Sequence, residues 1–143
     1  MNKLHKGGVV ILDFGSQYTQ LIARRIREQN VYSEILPPET AFNEILSREP
    51  AALILSGGPS SVYEKDAPDF DPHILDSELP TLGICYGLHL MAQHQGGVVE
   101  STGQGEYGFA EITAENEAGL LSDISSPSKV WMSHGDRVKH LPE

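Results

Sequence analysis

A chain of 143 residues, 39% of them hydrophobic, is long enough to bury the core of one domain and too apolar to stay disordered. Twenty acidic residues against 10 basic ones leave a net charge of −10, which argues against nucleic acid or an anionic membrane recognised by charge and otherwise serves solubility. A single cysteine excludes an internal disulfide and fits a reducing, cytoplasmic compartment; no apolar stretch reaches membrane-spanning length, and Met1 to Lys6 lacks a signal-peptide core.

The first element is the apolar run Val9-Val10-Ile11-Leu12, which suits a central strand covered on both faces and ends at Asp13. Gly15-Ser16 opens a helix with Leu21, Ile22, Arg25 and Ile26 at helical spacing, Arg24, Arg25 and Arg27 forming its solvated flank. Val31 to Leu36 reads as a second strand, stopped by Pro37-Pro38, and Thr40 with Phe42, Ile45 and Leu46 reads as a second helix. Ala51 to Leu55 is a third strand that runs directly into Ser56-Gly57-Gly58-Pro59. Ser60 to Pro72 is polar, Pro-rich loop, and a short helix around His73 to Ser77 leads to a buried strand containing Leu82 and Ile84. Leu88, Leu90, Met91 and Ala92 mark the apolar side of the next helix, which Gly96-Gly97 terminates.

Beyond that point the pattern changes. Val98-Val99-Glu100, Tyr107 to Thr113 and Val130-Trp131-Met132 read as further strands with irregular links. Alternating strand and helix in the first half predicts a doubly wound, mostly parallel open sheet of flavodoxin-like α/β form, to which the later strands add antiparallel edge strands. Residues 1–143 are expected to form a single domain. Ligand sites in such sheets lie at the carboxyl ends of the strands. Three loops begin there: after Asp13, after Leu55 and at Cys85.

Cys85 sits in Gly83-Ile84-Cys85-Tyr86-Gly87, between a strand and a helix. A residue at such a junction, flanked by glycines, has the form of a nucleophile elbow, with its thiol directed at the N–H groups and dipole of the following helix. A lone cysteine acting as a small buried hydrophobe is the alternative. Acyl transfer at Cys85 would need backbone N–H donors for an oxyanion. Gly57-Gly58 and the N–H of Tyr86 can supply them, although Gly57-Gly58-Pro59 is equally a turn after a strand.

Four segments, Asp13-Phe14-Gly15-Ser16-Gln17-Tyr18, Ser56-Gly57-Gly58-Pro59, Gly83-Ile84-Cys85-Tyr86-Gly87 and Trp131-Met132-Ser133-His134-Gly135-Asp136, resemble in order and spacing the class I glutamine amidotransferase domain of GMP synthases, from about Val9 to the last residue. The resemblance implies that the Cys85 thiolate attacks the side-chain amide of L-glutamine. Ammonia is released and a glutamyl thioester is left for water to hydrolyse. Gly58 and Tyr86 match the oxyanion donors, Gly57 lines the substrate site, and Ser133, Gly135 and Asp136 match positions that grip the amino-acid end of glutamine. By their residues alone, Ser133 to Asp136 would be a turn after a strand. The resemblance further implies an ATP pyrophosphatase domain as partner, in the same chain or a separate one. That domain uses ATP and magnesium to activate xanthosine monophosphate for amination to GMP. No metal or cofactor is expected in the present segment, and a second copy of the chain is a candidate partner.

Two positions depart from the family pattern. The family's general base lies in a His-x-Glu motif beyond the Ser-His-Gly-Asp segment, and no His-x-Glu occurs among these 143 residues. The domain therefore reads as incomplete at its C-terminus, and the segment alone is expected to be inactive. His134 and His140 do not replace that base, and His5, His73 and His94 read as surface or packing residues. His89 stands four residues after the nucleophile, where the family usually has glutamine; it reads as a contact bordering the glutamine pocket or as a substitute base. The rival readings are a catalytically dead amidotransferase-like binding module and an unrelated reactive-cysteine protein of flavodoxin-like form.

Overall fold

The structure, a computed structural model, describes residues 6–115 and 119–143; His5 lies outside them. Two compact units are present, one comprising the residues up to Val99 together with Val138–Glu143, the other Glu100–Arg137.

The first unit is built on four parallel strands, β1 (Val9–Leu12), β2 (Ser33–Leu36), β3 (Ala52–Leu55) and β4 (Thr81–Gly83), in the order β2-β1-β3-β4. Val9 pairs with Ser33 on one side and Ala52 on the other, and Leu55 pairs with Gly83. The helices are α1 (Thr19–Glu28), α2 (Phe42–Leu46) and α3 (Tyr86–His94). Alternate side chains of the two central strands enter opposite layers, as the period of two requires. Val10, Leu12, Leu53 and Leu55 pack with Ile45, Ile74, Tyr86 and Leu90, while Ile11 and Ile54 pack with Ala23 of α1. The unbroken apolar runs in β1 and β3 are thus explained by cover on both faces. The chain leaves β1 toward β2, then returns to place β3 on β1's other side. The order therefore reverses between β1 and β3, the place at whose carboxyl ends doubly wound sheets hold their ligands.

Helix boundaries follow local chemistry. Asp71 precedes a single 3-10 turn at Pro72–Ile74, accepting from the His73 N–H at 3.1 Å, and also accepts from the Phe42 N–H in the first turn of α2 at 2.9 Å. Helix α3 ends in a Schellman arrangement: Gly96 (φ +90°) donates to Gln93 O at 3.2 Å and Gly97 to Ala92 O at 2.7 Å.

Three sequence expectations need adjustment. The strand carrying Leu82 is not buried: β4 is only three residues long and lies at the sheet edge, so Leu82 is exposed. Leu88 is exposed too, while His89 is buried, because α3 turns Gly87 and Leu90, rather than Leu88, toward the sheet. Finally, Val98 to Thr113 does not break into two strands. One strand, β5 (Val98–Ile112), runs through and pairs with β6 (Ser128–His140) in a two-stranded sheet of its own. Partner numbers fall along β5, from Glu100 with Arg137, through Thr102 with Gly135, to Phe109 with Trp131, so the pair is antiparallel.

Candidate active site

Three loops at the carboxyl edge of the sheet meet, and glycines let them do so. After β1, Asp13 Oδ1 accepts from the Gly15 N–H at 2.9 Å and from Thr19 Oγ1 at 3.0 Å, folding the chain into the start of α1. Gly15 has φ +98°, and a Cβ there would touch Pro59 Cδ at 3.2 Å. After β3, the turn at Gly58 lies against the first loop so closely that a Cβ would fall 2.2 Å from Phe14 O. A Cβ on Gly57 would lie 3.3 Å from Cys85 Cβ and 3.7 Å from Ser16 Oγ. Residues from all three segments therefore surround one point.

Cys85 joins β4 to α3 at φ 50°, ψ −111°, a backbone conformation that a side-chain-bearing residue adopts only under constraint. The constraint is visible on both sides. A Cβ on Gly83 would come within 2.7 Å of the Leu88 nitrogen, and one on Gly87 within 2.2 Å of Leu55 O. Helix α3 is thus pressed onto the end of β3, and the Gly87 N–H donates to both Ser56 O (3.1 Å) and Ile84 O (3.0 Å). The thiol remains exposed to solvent. This is the geometry of a nucleophile elbow; the small buried hydrophobe of the alternative reading is not found.

Tyr86, directly after the cysteine, turns its ring into the core, 5.0 Å from the ring of Phe14. Burial, with a smaller contribution from the negative charge of Glu64, raises its phenol above the usual tyrosine value. Neither the Gly58 nor the Tyr86 N–H enters a backbone hydrogen bond among the described residues. His89 is 8% exposed, one helical turn after the cysteine, and its N–H donates to Cys85 O at 3.0 Å.

The remaining candidates lie in the second unit. Ser133, Gly135 and Asp136 stand in the middle of β6, so the turn that their residue types suggested is replaced by continuous strand. Gly135 O accepts from Thr102 Oγ1 at 3.1 Å, and His134 bridges Asp136 O (2.7 Å) and Glu106 Oε2 (2.9 Å). Elsewhere, His73 is paired with Asp71 at 2.7 Å and His94 with Asp76 at 3.0 Å. Among the described residues, no three His, Cys, Asp or Glu side chains gather as a metal site would need, and no helix is long and apolar enough to cross a membrane.

Sequence reasoning missed one residue at this site. Ser56 is fully buried, and its polar atoms reach all three converging segments. A serine before Gly-Gly-Pro reads as turn composition, and nothing in its own neighbourhood signals more.

A strained, exposed cysteine thus stands at a strand-to-helix junction, beside a glycine turn at the switch point of a parallel sheet, and the class of protein can be named. The profile of the family described as Glutamine amidotransferase class-I matches residues 10–143, and the chain belongs to that family. Within the family it is similar to GMP synthases (glutamine-hydrolyzing): 51% identical over 140 residues to that of Campylobacter lari, and 52% over 136 residues to that of Corynebacterium jeikeium. These alignments take in 98% and 94% of this chain but only 27% and 26% of the relatives, so the chain spans about a quarter of their length. Among solved structures, a putative GMP synthase component from Thermoplasma acidophilum superposes with a TM-score of 0.77 at 26% identity, covering 97% of this chain and 70% of that one. A glutamine amidotransferase from Thermotoga maritima shares the fold, with a TM-score of 0.74 at 22% identity, covering 97% of this chain and 64% of that one.

Proposed function

We propose that this chain is the glutaminase part of a GMP synthase-like enzyme. The observation that carries the proposal is the Cys85 elbow, closed on one side by Gly57 and opened at the N-terminus of α3. In the reaction, the Cys85 sulfur bonds to the side-chain carbonyl carbon of L-glutamine and the carbonyl oxygen becomes an oxyanion. The N–H groups of Gly58 and Tyr86 stabilise that oxyanion. Collapse breaks the C–N bond; the nitrogen leaves as ammonia after taking up a proton, and a glutamyl thioester remains. Water then cleaves the thioester to glutamate and restores the thiol. His89 borders the glutamine side chain. Ser133, Gly135 and Asp136 hold the amino-acid end, where the Asp136 carboxylate suits an ammonium group.

The ammonia passes to an ATP pyrophosphatase partner, which uses ATP and magnesium to activate xanthosine monophosphate for amination to GMP. The nucleotide and the metal belong to that partner in this scheme, since thiol attack on an amide needs neither. A chain with one cysteine suits the reducing cytoplasm.

The proton-accepting partner of Cys85 is proposed to come from outside these residues. The ring nitrogens of His73, His94 and His134 bond Asp71, Asp76 and Glu106 rather than Cys85, and His89 is assigned to the glutamine side chain. Ammonia release from L-glutamine should therefore be slight for the 143-residue chain. It should rise when the chain is joined to the segment that follows the matching region in the Campylobacter lari relative, and vanish again on Cys85→Ala. Hydrolysis that persists in the Cys85→Ala form would overturn the proposal; rapid hydrolysis by the 143 residues alone would place the base within them.

A further inference from the structure

Ser56 stands at the centre of the converging loops, with no exposed surface at all. Its N–H donates to Leu12 O at 3.1 Å, and its carbonyl accepts from the Gly87 N–H at 3.1 Å, tying the ends of β1 and β3 to the first turn of α3. Its hydroxyl has one proton and free lone pairs, and both are used. Oγ accepts from the Phe14 N–H at 3.1 Å and donates to Gly57 O at 3.1 Å. The second bond bears on chemistry. The Gly57 carbonyl and the Gly58 N–H belong to one planar trans peptide, so they point in opposite directions. With glycine on both sides, no Cβ restricts ψ of Gly57 or φ of Gly58, so the orientation of that plane is set by its contacts. The hydroxyl that captures the Gly57 carbonyl on the buried side therefore aims the Gly58 N–H away from the core.

We propose that Ser56 is a positioning residue: its hydroxyl locks the Gly57–Gly58 peptide in the orientation that presents the Gly58 N–H to an oxyanion formed at Cys85. This rests on the reading of Cys85 as an acyl-accepting nucleophile, and the test separates the two. Because Cys85 is the chain's one thiol, two reagents report on it without a glutamine pocket or an added base. With p-nitrophenyl acetate, the Cys85 sulfur bonds to the acetyl carbon through a tetrahedral oxyanion, and the bond to p-nitrophenolate breaks. With iodoacetamide, the sulfur displaces iodide and no oxyanion forms. The ratio of the two rates measures oxyanion stabilisation, and thiol ionisation cancels from it.

In the folded chain the acylation-to-alkylation ratio should exceed that of the same chain in denaturant. A ratio equal to the denatured one would refute the nucleophile-and-oxyanion reading itself. Ser56→Ala should lower the ratio by about tenfold or more, with the alkylation rate changed less than about twofold, since losing an oxyanion donor outright costs about a hundredfold or more. A ratio unchanged in folded Ser56→Ala, with the parent ratio high, would overturn the role of Ser56 alone. Should Ser56→Ala fail to fold, amide exchange in the parent chain decides. The Phe14 and Gly87 N–H groups should be protected and the Gly58 N–H should exchange rapidly with water. A Gly58 N–H protected like that of Gly87 would overturn the proposal.

Discussion

The two units of this chain hold their candidate residues by different means. In the parallel-sheet unit, Ile11, Leu12, Ile45, Leu55 and Ile74 are wholly buried, and the glycines of the elbow touch backbone atoms of neighbouring segments. In the hairpin unit, the largest side chains face water: Trp131 is 78% exposed and Phe109 61%, stacked edge-on to each other with centroids 6.4 Å apart. The first unit fixes Cys85 by tertiary packing. In the second, Ser133, Gly135 and Asp136 lie along β6, where Thr102 Oγ1 bonds Gly135 O and the His134 ring bonds Asp136 O. The candidate nucleophile therefore sits in the more tightly packed of the two units.

Glycine substitutions break the comparison most sharply. Gly87→Ala places a methyl 2.2 Å from Leu55 O and 2.6 Å from Leu55 Cβ, neither of which can yield without moving β3. Urea unfolding should show a loss of about 3 kcal/mol or more, or no folded first unit at all. Gly135→Ala meets nothing nearer than the Tyr107 hydroxyl at 3.8 Å and should change stability by less than about 0.5 kcal/mol. Similar costs for the two would erase the distinction between the units.

Large-to-small changes give the next effect. Leu55→Ala removes a fully buried side chain from the larger core cluster and should cost about 2–5 kcal/mol in the same measurement. Phe109→Ala loses its edge contact with Trp131 and the nearby Lys129 ammonium, 6.0 Å from the ring centroid, and should cost about 0.2–1 kcal/mol.

The smallest effect is a pH dependence within the first unit. The Phe42 N–H, then the His73 ring and the His73 N–H, hold the Asp71 carboxyl below the usual 3.8. A carboxyl lowered on folding stabilises the fold fully above its unfolded value and loses that stabilisation as pH falls through the folded one. Unfolding midpoints should therefore drop as pH is lowered below about 3.8, and Asp71→Asn should drop less steeply over the same range. An identical slope in both proteins would remove Asp71 as the group responsible.

The sheet was legible because β1 and β3 are unbroken apolar runs, which water-facing strands cannot be. The elbow was legible because two glycines around a cysteine at a strand-to-helix junction have few other uses. The remainder turned on contacts between distant segments. The exposure of Leu82 follows from β4's edge position, and the burial of His89 over Leu88 from a helix phase set by Gly87 against Leu55. In β5, Gly103, Gly105 and Gly108 interrupt the alternation that marks a strand, so its continuity shows only once β6 is laid beside it. Ser56 was legible only as the first residue of the Ser-Gly-Gly-Pro segment, since its role exists only where three loops meet.

Cys85 is proposed to be the thiol that takes the acyl group of glutamine. A chloroketone analogue of L-glutamine tests it directly, with the site and rate of labelling followed by mass spectrometry. One adduct is expected, on Cys85, formed faster than with a chloroketone lacking the amino-acid end and slowed by excess L-glutamine but not by D-glutamine. Equal rates for the two reagents, with no protection by L-glutamine, would contradict it.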